Sequence, residues 1–287
     1  MVLRVFFLLA LFLSAVSAAP SATFTSQTPT FNPPQSLVTP DLKTVIVPQS
    51  LTNAQRLRRG LPLKAPRRRF DYDYDGSTPP DAPQPPYPTP SGTACQPKRG
   101  FIQISDSSSG SVIGFVGNTF VVNGEYGVIP SSAPQDQRLV VTVNPEVPGA
   151  QNIQTSNGPD DRFAYLGSIL GFGSPSEDLG PGSFSYTYVG ATKQTPPGSK
   201  PQAVANSFTS SAGIQREAES AVFTYHPEAD DSITLKWING DDSYANCPNF
   251  IGVIDDDNIL FATGDKEEFT KIFGDATWVE WKFVPMT

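Results

Sequence analysis

From about residue 100 to residue 287, apolar and polar side chains alternate in short runs separated by Gly, Pro, Ser and Asp. Residues 101–104 and 111–116 form the first pair of runs, joined by 106–110. In 138–143, Leu139, Val141 and Val143 share one face. Residues 163–172 are apolar with glycines inside the run. In 184–189, Phe184, Tyr186 and Tyr188 oppose Ser185 and Thr187. Residues 221–225, 232–238, 250–254, 258–262 and 277–284 continue the pattern. A period of two predicts half-buried strands, and about ten of them with turn residues between predict an all-β sandwich or barrel.

One segment has a different period. Phe269, Ile272 and Phe273 fall at i, i+3 and i+4, Asp265 stands where an N-cap belongs, Glu268 sits at N3, and Gly274 follows. This predicts one short C-terminal helix over 266–273, with an apolar edge against the sheet.

Before residue 98 the alternation is absent. Prolines recur from Pro20 to Pro97. The apolar runs there are too short to offset the entropy of ordering, which predicts a disordered N-terminal arm. Residues 51–57 have at most one or two helical turns, with Thr52 or Asn53 as cap and Gly60 and Pro62 as stops. The first 18 residues read as a secretory signal. Arg4 precedes an apolar run over 5–13, and Val16 and Ala18 suit cleavage after Ala18. The run is too short for a bilayer span, which takes about 20 residues. The expected organisation is signal peptide 1–18, basic Pro-rich arm 19–69, Pro-rich acidic linker 70–97 and β-rich domain 98–287, secreted and without a membrane span.

Charge sharpens that division. The formal net charge is −8. Residues 19–69 carry eight basic side chains and one acid, Asp41, whereas residues 70–287 carry 11 basic and 27 acidic ones. The basic arm ends in Arg67-Arg68-Arg69, an accessible site for a kexin-type processing protease, so 19–69 reads as a propeptide, the alternative being an uncut basic linker. Its positive charge suits an acidic partner domain before cleavage. A strongly acidic exported domain also repels phosphate, which argues against nucleic acid as partner.

Cysteine usage fits the same compartment. Cys95 and Cys247 are the two cysteines, and in an oxidising setting they are expected to form one disulfide. No Asn-x-Ser/Thr sequon occurs, so N-linked glycans are not expected; the Ser/Thr/Pro-rich stretches 19–50 and 76–93 suit O-linked sugar.

Candidate chemistry is sparse. His226 is the only histidine, and no nucleophile motif accompanies it, so a surface or turn position is expected. Asp255, Asp256 and Asp257 precede Asn258 between two apolar runs. They read first as a hairpin turn and second as oxygen ligands for calcium, although the Asp-x-Asp-x-Asp-Gly spacing is missing. The pairs Asp160-Asp161, Glu177-Asp178 and Asp241-Asp242 read as solvated loops. Glu125, Glu217, Glu219 and Glu280 are the carboxylates from which a glycosidase pair would be drawn. Trp237 and Trp281 fall on apolar faces and are assigned to the core. Trp278 falls on the opposite face with Glu280 and Lys282, where an indole could stack on a sugar ring. No cofactor motif is present, and none is expected.

The arm sequence Leu51-Thr52-Asn53-Ala54-Gln55-Arg56-Leu57, with Arg59-Gly60-Leu61-Pro62-Leu63 and Arg67-Arg68-Arg69, resembles that of secreted proteins from mushroom-forming (basidiomycete) fungi. Gly100-Phe101-Ile102-Gln103-Ile104, Gly124-Glu125-Tyr126-Gly127, Ser156-Asn157-Gly158-Pro159-Asp160, Tyr165-Leu166-Gly167 and Glu219-Ser220-Ala221 are similar to their shared domain. The resemblance implies an extracellular fungal setting and transfers no catalytic residue. The expected function is a non-catalytic extracellular or cell-wall-associated protein that binds glycan through Trp278 and Glu280. The alternatives are a carboxylate-dependent polysaccharide hydrolase and a structural or interaction protein without a small ligand.

Overall fold

A computed structural model describes residues 29–38, 96–240, 249–255 and 257–286. In chain order the strands are β1 (Lys98–Asp106), β2 (Val112–Phe120), β3 (Tyr126–Pro130), β4 (Val141–Val143), β5 (Ala150–Gln151), β6 (Gln154–Thr155) and β7 (Tyr165–Leu170). Then come β8 (Tyr186–Thr192), helix α1 (Ser207–Ala212), β9 (Ala218–Glu219), β10 (Phe223–His226) and β11 (Ser232–Leu235). The chain continues through β12 (Phe250–Ile254), β13 (Ile259–Thr263), helix α2 (Lys266–Phe273) and β14 (Thr277–Pro285).

Pairing closes a ring of eight antiparallel strands, β1-β4-β6-β7-β8-β13-β12-β14 and back to β1. The β1–β14 seam is the longest, running from Gly100 opposite Pro285 to Asp106 opposite Val279. The β2–β3 hairpin wedges into one end of the ring, β2 beside β1 and β3 touching β13 at Gly127 opposite Ile259. β11, β10 and β5 extend outward from β14. The fold is therefore a closed barrel, one of the two architectures the alternation allowed. A closed ring leaves no free edge along its seam, so exposed N–H and C=O rows are avoided.

Alternation sorts side chains to two sides of the wall. Ile102 and Ile104 of β1, Leu260 and Ala262 of β13, and Val279, Trp281 and Phe283 of β14 fill the interior. Ile259 and Phe261 point outward and join Tyr186, Tyr188, Phe208 and Phe269 in a second cluster. α1, α2 and residues of the arm cover that outer face, which is why every residue of β8 and β13 is buried. Strands buried on both faces read as unbroken apolar runs, as 259–262 does.

α2 occupies the span the sequence predicted. Asp265 accepts from the backbone N–H of Glu267 (3.0 Å) and Glu268 (3.1 Å), and Gly274 ends the helix. α1 was not expected. Its six residues are mostly Ser, Thr and Ala, and Asn206 caps it by accepting from Thr209 N. Close packing requires glycine at position 114 of β2, where a Cβ would lie 1.9 Å from the Ile129 carbonyl oxygen of β3.

The arm needs a correction. Residues 29–38 are packed on the domain, with Phe31 inserted among rings of the outer cluster. Proline-rich composition hid this, because the contact comes from one aromatic side chain and not from a periodic pattern. The disulfide Cys95–Cys247, the leader with Ala18, and Arg67, Arg68 and Arg69 lie outside the described residues. Among the described residues no helix is long and apolar enough to cross a membrane.

Candidate functional site

The outer faces of β1, β14 and β11 carry a polar row in register. Gln103 stands opposite Lys282, which stands opposite Ser232, while Ser105 stands opposite Glu280. Their inward neighbours Ile104, Trp281 and Ile233 belong to the barrel core, so period-two geometry forces these polar groups outward. With Thr234 and Lys266 they line a groove of about 760 Å³. The turn after β1 forms one wall. It is held by the Asp106 carboxylate, which accepts from Ser108 N (2.9 Å) and Ser109 N (2.7 Å). The bond from the Ser108 hydroxyl, with these two and that from the Ser109 hydroxyl, lowers the Asp106 pKa to about 2. Lys282 Nζ is paired with Asp230 (2.7 Å), leaving Glu280 as the groove's exposed carboxylate without that neutralisation.

Trp278 and Glu280 sit differently from one another. Glu280 is exposed and lines the groove. Trp278 is half-buried under α2: Phe261 and Phe269 approach its ring with centroids at 5.7 and 6.2 Å, and Lys266 Nζ lies 4.9 Å from its centroid. The free platform expected of it is therefore largely taken. Alternation along β14 places Trp278 on the outer face correctly but does not show that a helix lies over that end of the strand.

The four carboxylates proposed for hydrolysis do not share the groove; only Glu280 lines it. Glu125 is fully buried. Its Oε2 accepts from Asn123 N and its Oε1 has no partner, and burial raises its pKa to about 7. Glu219 is likewise buried, with Ile238 N on Oε2 (3.2 Å) and Oε1 unpartnered; burial pushes it to about 9. A neutral Glu219 carboxyl is therefore the form present at neutral pH. Glu217, half-buried on the same stretch, is raised by burial and then by the neighbouring Glu177. Nothing in the sequence distinguished these buried acids from solvated ones.

His226 lies on the β10–β11 hairpin, its Nε2 3.0 Å from Thr234 Oγ1 and its Nδ1 3.6 Å from Glu228. The order hydroxyl–imidazole–carboxylate is suggestive. However, the acid contact is long and Glu228 is 73% exposed, so water competes for the position that would orient the ring. Asp255 and Asp257 lie in the turn between β12 and β13, where Ile254 pairs with Ile259 and Asn258 takes the left-handed conformation (φ 53°). Asp255 accepts from Thr277 Oγ1 (3.0 Å) and Asp257 from Asn32 Nδ2 (2.9 Å); Asp256 lies outside the described residues. Among the described residues no group of three or more His, Cys, Asp or Glu is placed to hold a metal ion.

A second site was not legible in the sequence. Phe31 sits in a socket of five rings: Tyr186, Tyr188, Phe261, Phe269 and Phe273, with centroids 4.6 to 6.0 Å away. Its carbonyl oxygen accepts from the hydroxyls of both Tyr186 and Tyr188, the latter at 2.5 Å. Burial raises the pKa of both phenols, so they remain protonated donors. The alternation of 184–189 marked the two tyrosines as core, which they are, on the outer side of the wall.

Comparison with protein-family models, with curated proteins and with solved structures finds no match.

Proposed function

We propose that this is a secreted, non-catalytic extracellular or cell-wall-associated protein that binds glycan in the groove over β1, β14 and β11. The observation that carries the reading is the registered row Gln103–Lys282–Ser232 with Ser105–Glu280 beside it. Amide, hydroxyl and charged groups arranged along a shallow concavity are the chemistry that pairs with sugar hydroxyls. The same row supports binding over hydrolysis. A glycosidase needs two carboxyl groups about 5–9.5 Å apart across the scissile bond. The groove offers Glu280 and an Asp230 already paired with Lys282.

A glycan array followed by calorimetry tests the reading. Saturable binding of a fungal or plant polysaccharide fragment is expected, weakened about tenfold in Glu280→Gln, as for loss of one hydrogen bond to a charged group. Failure to bind any such glycan overturns it. Turnover of a polysaccharide by the wild-type chain would replace it with the hydrolase reading.

A further inference from the structure

We propose that the aromatic socket on the outer face of β8 and β13 is a binding site for an extended peptide segment bearing an aromatic side chain, and that residues 29–38 are its tethered occupant. This site is separate from the groove and does not depend on how the groove is read. The socket's polar groups are arranged for an external acceptor. The Tyr186 hydroxyl already accepts from Gly173 N (3.1 Å) and the Tyr188 hydroxyl from Phe172 N (3.3 Å). What each has left to satisfy is its O–H, and both donate to one atom, the Phe31 carbonyl oxygen, with Asn32 Oδ1 of the same segment also 3.4 Å from the Tyr188 hydroxyl. The two hydroxyls are 3.3 Å apart, so with the segment gone one can serve the other and a buried O–H is left over. The rings recognise an aromatic side chain, the paired hydroxyls recognise that residue's own carbonyl, and Asp257 at the rim takes a side-chain amide one position on, as it does from Asn32 Nδ2.

The attachment of the segment is ligand-like. Its contacts concentrate in Phe31, Asn32 and the buried Pro33. Residues 34–37 are exposed, Leu37 N bonds back to Pro34 O (2.8 Å), and the segment joins no strand of the barrel. Arg67-Arg68-Arg69 lies between the segment and the domain in sequence. A tethered ligand has an effective concentration that reaches the millimolar range, whereas a severed one has only its concentration in solution. Cleavage at the tribasic site therefore turns an internal contact into a dissociable one and opens the socket to a peptide of the same chemistry presented by a partner.

The test uses the full chain with Phe31→Ala and a synthetic peptide of residues 29–38. The variant is expected to bind the peptide saturably. The wild-type chain, whose own segment competes, is expected to bind at least about tenfold more weakly. Adding Tyr186→Phe and Tyr188→Phe to the variant should lower affinity about tenfold again. A Phe31→Ala chain that keeps its circular dichroism and melting transition yet ignores the peptide overturns the proposal. Should that variant fail to fold, a chain with a site-specific protease sequence in place of Arg67–Arg69 is cut and diluted. Separation of the arm fragment from a folded domain that then binds added peptide supports the proposal; an arm that stays attached through dilution, or a domain that unfolds on losing it, shows a structural strap and overturns it.

Discussion

Phe31 lies nearly flat on Tyr186, with ring centroids 4.6 Å apart and planes 17° from parallel, while its own carbonyl oxygen accepts a hydrogen bond from the same tyrosine's hydroxyl. One residue of the arm is thus held through both its side chain and its backbone. Tyr186→Phe removes the hydroxyl, leaving Gly173 N without its acceptor and the Phe31 carbonyl with the Tyr188 hydroxyl alone. The expected cost is about 1–3 kcal/mol of full-chain stability, read from urea melts. An unchanged midpoint would show that the hydroxyl contributes nothing to holding the arm.

Glu219 gives the domain an acid-leaning stability profile. Unfolded, it ionises near 4.5; folded, burial holds its proton to about 9. Between these values the native state binds more protons than the unfolded chain, so stability falls as pH rises. Glu125, raised to about 7, acts in the same direction. From Glu219 alone the loss between pH 4.5 and 7 is on the order of 2–3 kcal/mol. Thermal melts should show a lower transition at pH 8 than at pH 5, and Glu219→Gln should flatten that decline. A wild-type chain equally stable at both values would contradict the buried acid.

Asp265 acts in the opposite direction. Gly182 N donates to its carboxylate at 2.8 Å, and the two helix N–H groups donate as well, which together lower its pKa. Its contribution is present above the ordinary carboxylate value near 3.8 and is lost as pH falls below it. Asp265→Ala is expected to cost about 1–2 kcal/mol at pH 7, and Asp265→Asn less, since an amide oxygen still caps. Paired denaturation curves at pH 7 and pH 3 should show the Ala penalty shrinking in acid.

Gly114→Ala introduces a methyl group 1.9 Å from the Ile129 carbonyl oxygen, a contact with backbone that no side-chain rotation relieves. A loss of about 1–3 kcal/mol is expected. Hydrogen exchange should report it first as faster opening of the β2–β3 hairpin. Uniform loss of protection around the ring would mean the wedge and the barrel open together.

Helix α2 and ten of the fourteen described strands were legible because they rest on local rules, whereas β3, β5, β6 and β9 fall in none of the alternating runs. Residues 277–284 alternate, so Val279, Trp281 and Phe283 had to share a side; Asp265 and Gly274 bracket a short helical period. α1 was hidden because Ser207–Ala212 has weak helix formers and is held by Asn206 and by its burial beneath β8. The groove was half legible. Glu280 was singled out, but its companions Gln103 and Ser232 come from strands far away in sequence, and only register brings them beside it.

Which residues face apart across a strand, where the charge changes sign and where α2 begins and ends could be read along the chain, because side-chain period, formal charge and capping are properties of neighbouring residues. Closure of the strands into a ring, the burial of Glu125 and Glu219, the helix over Trp278 and the seating of Phe31 in its socket came from the folded chain. Most of those depend on contacts between segments tens to hundreds of residues apart, the cover of α2 over Trp278 on a local chain reversal, and the burial that makes them matter exists only once the chain has closed on itself.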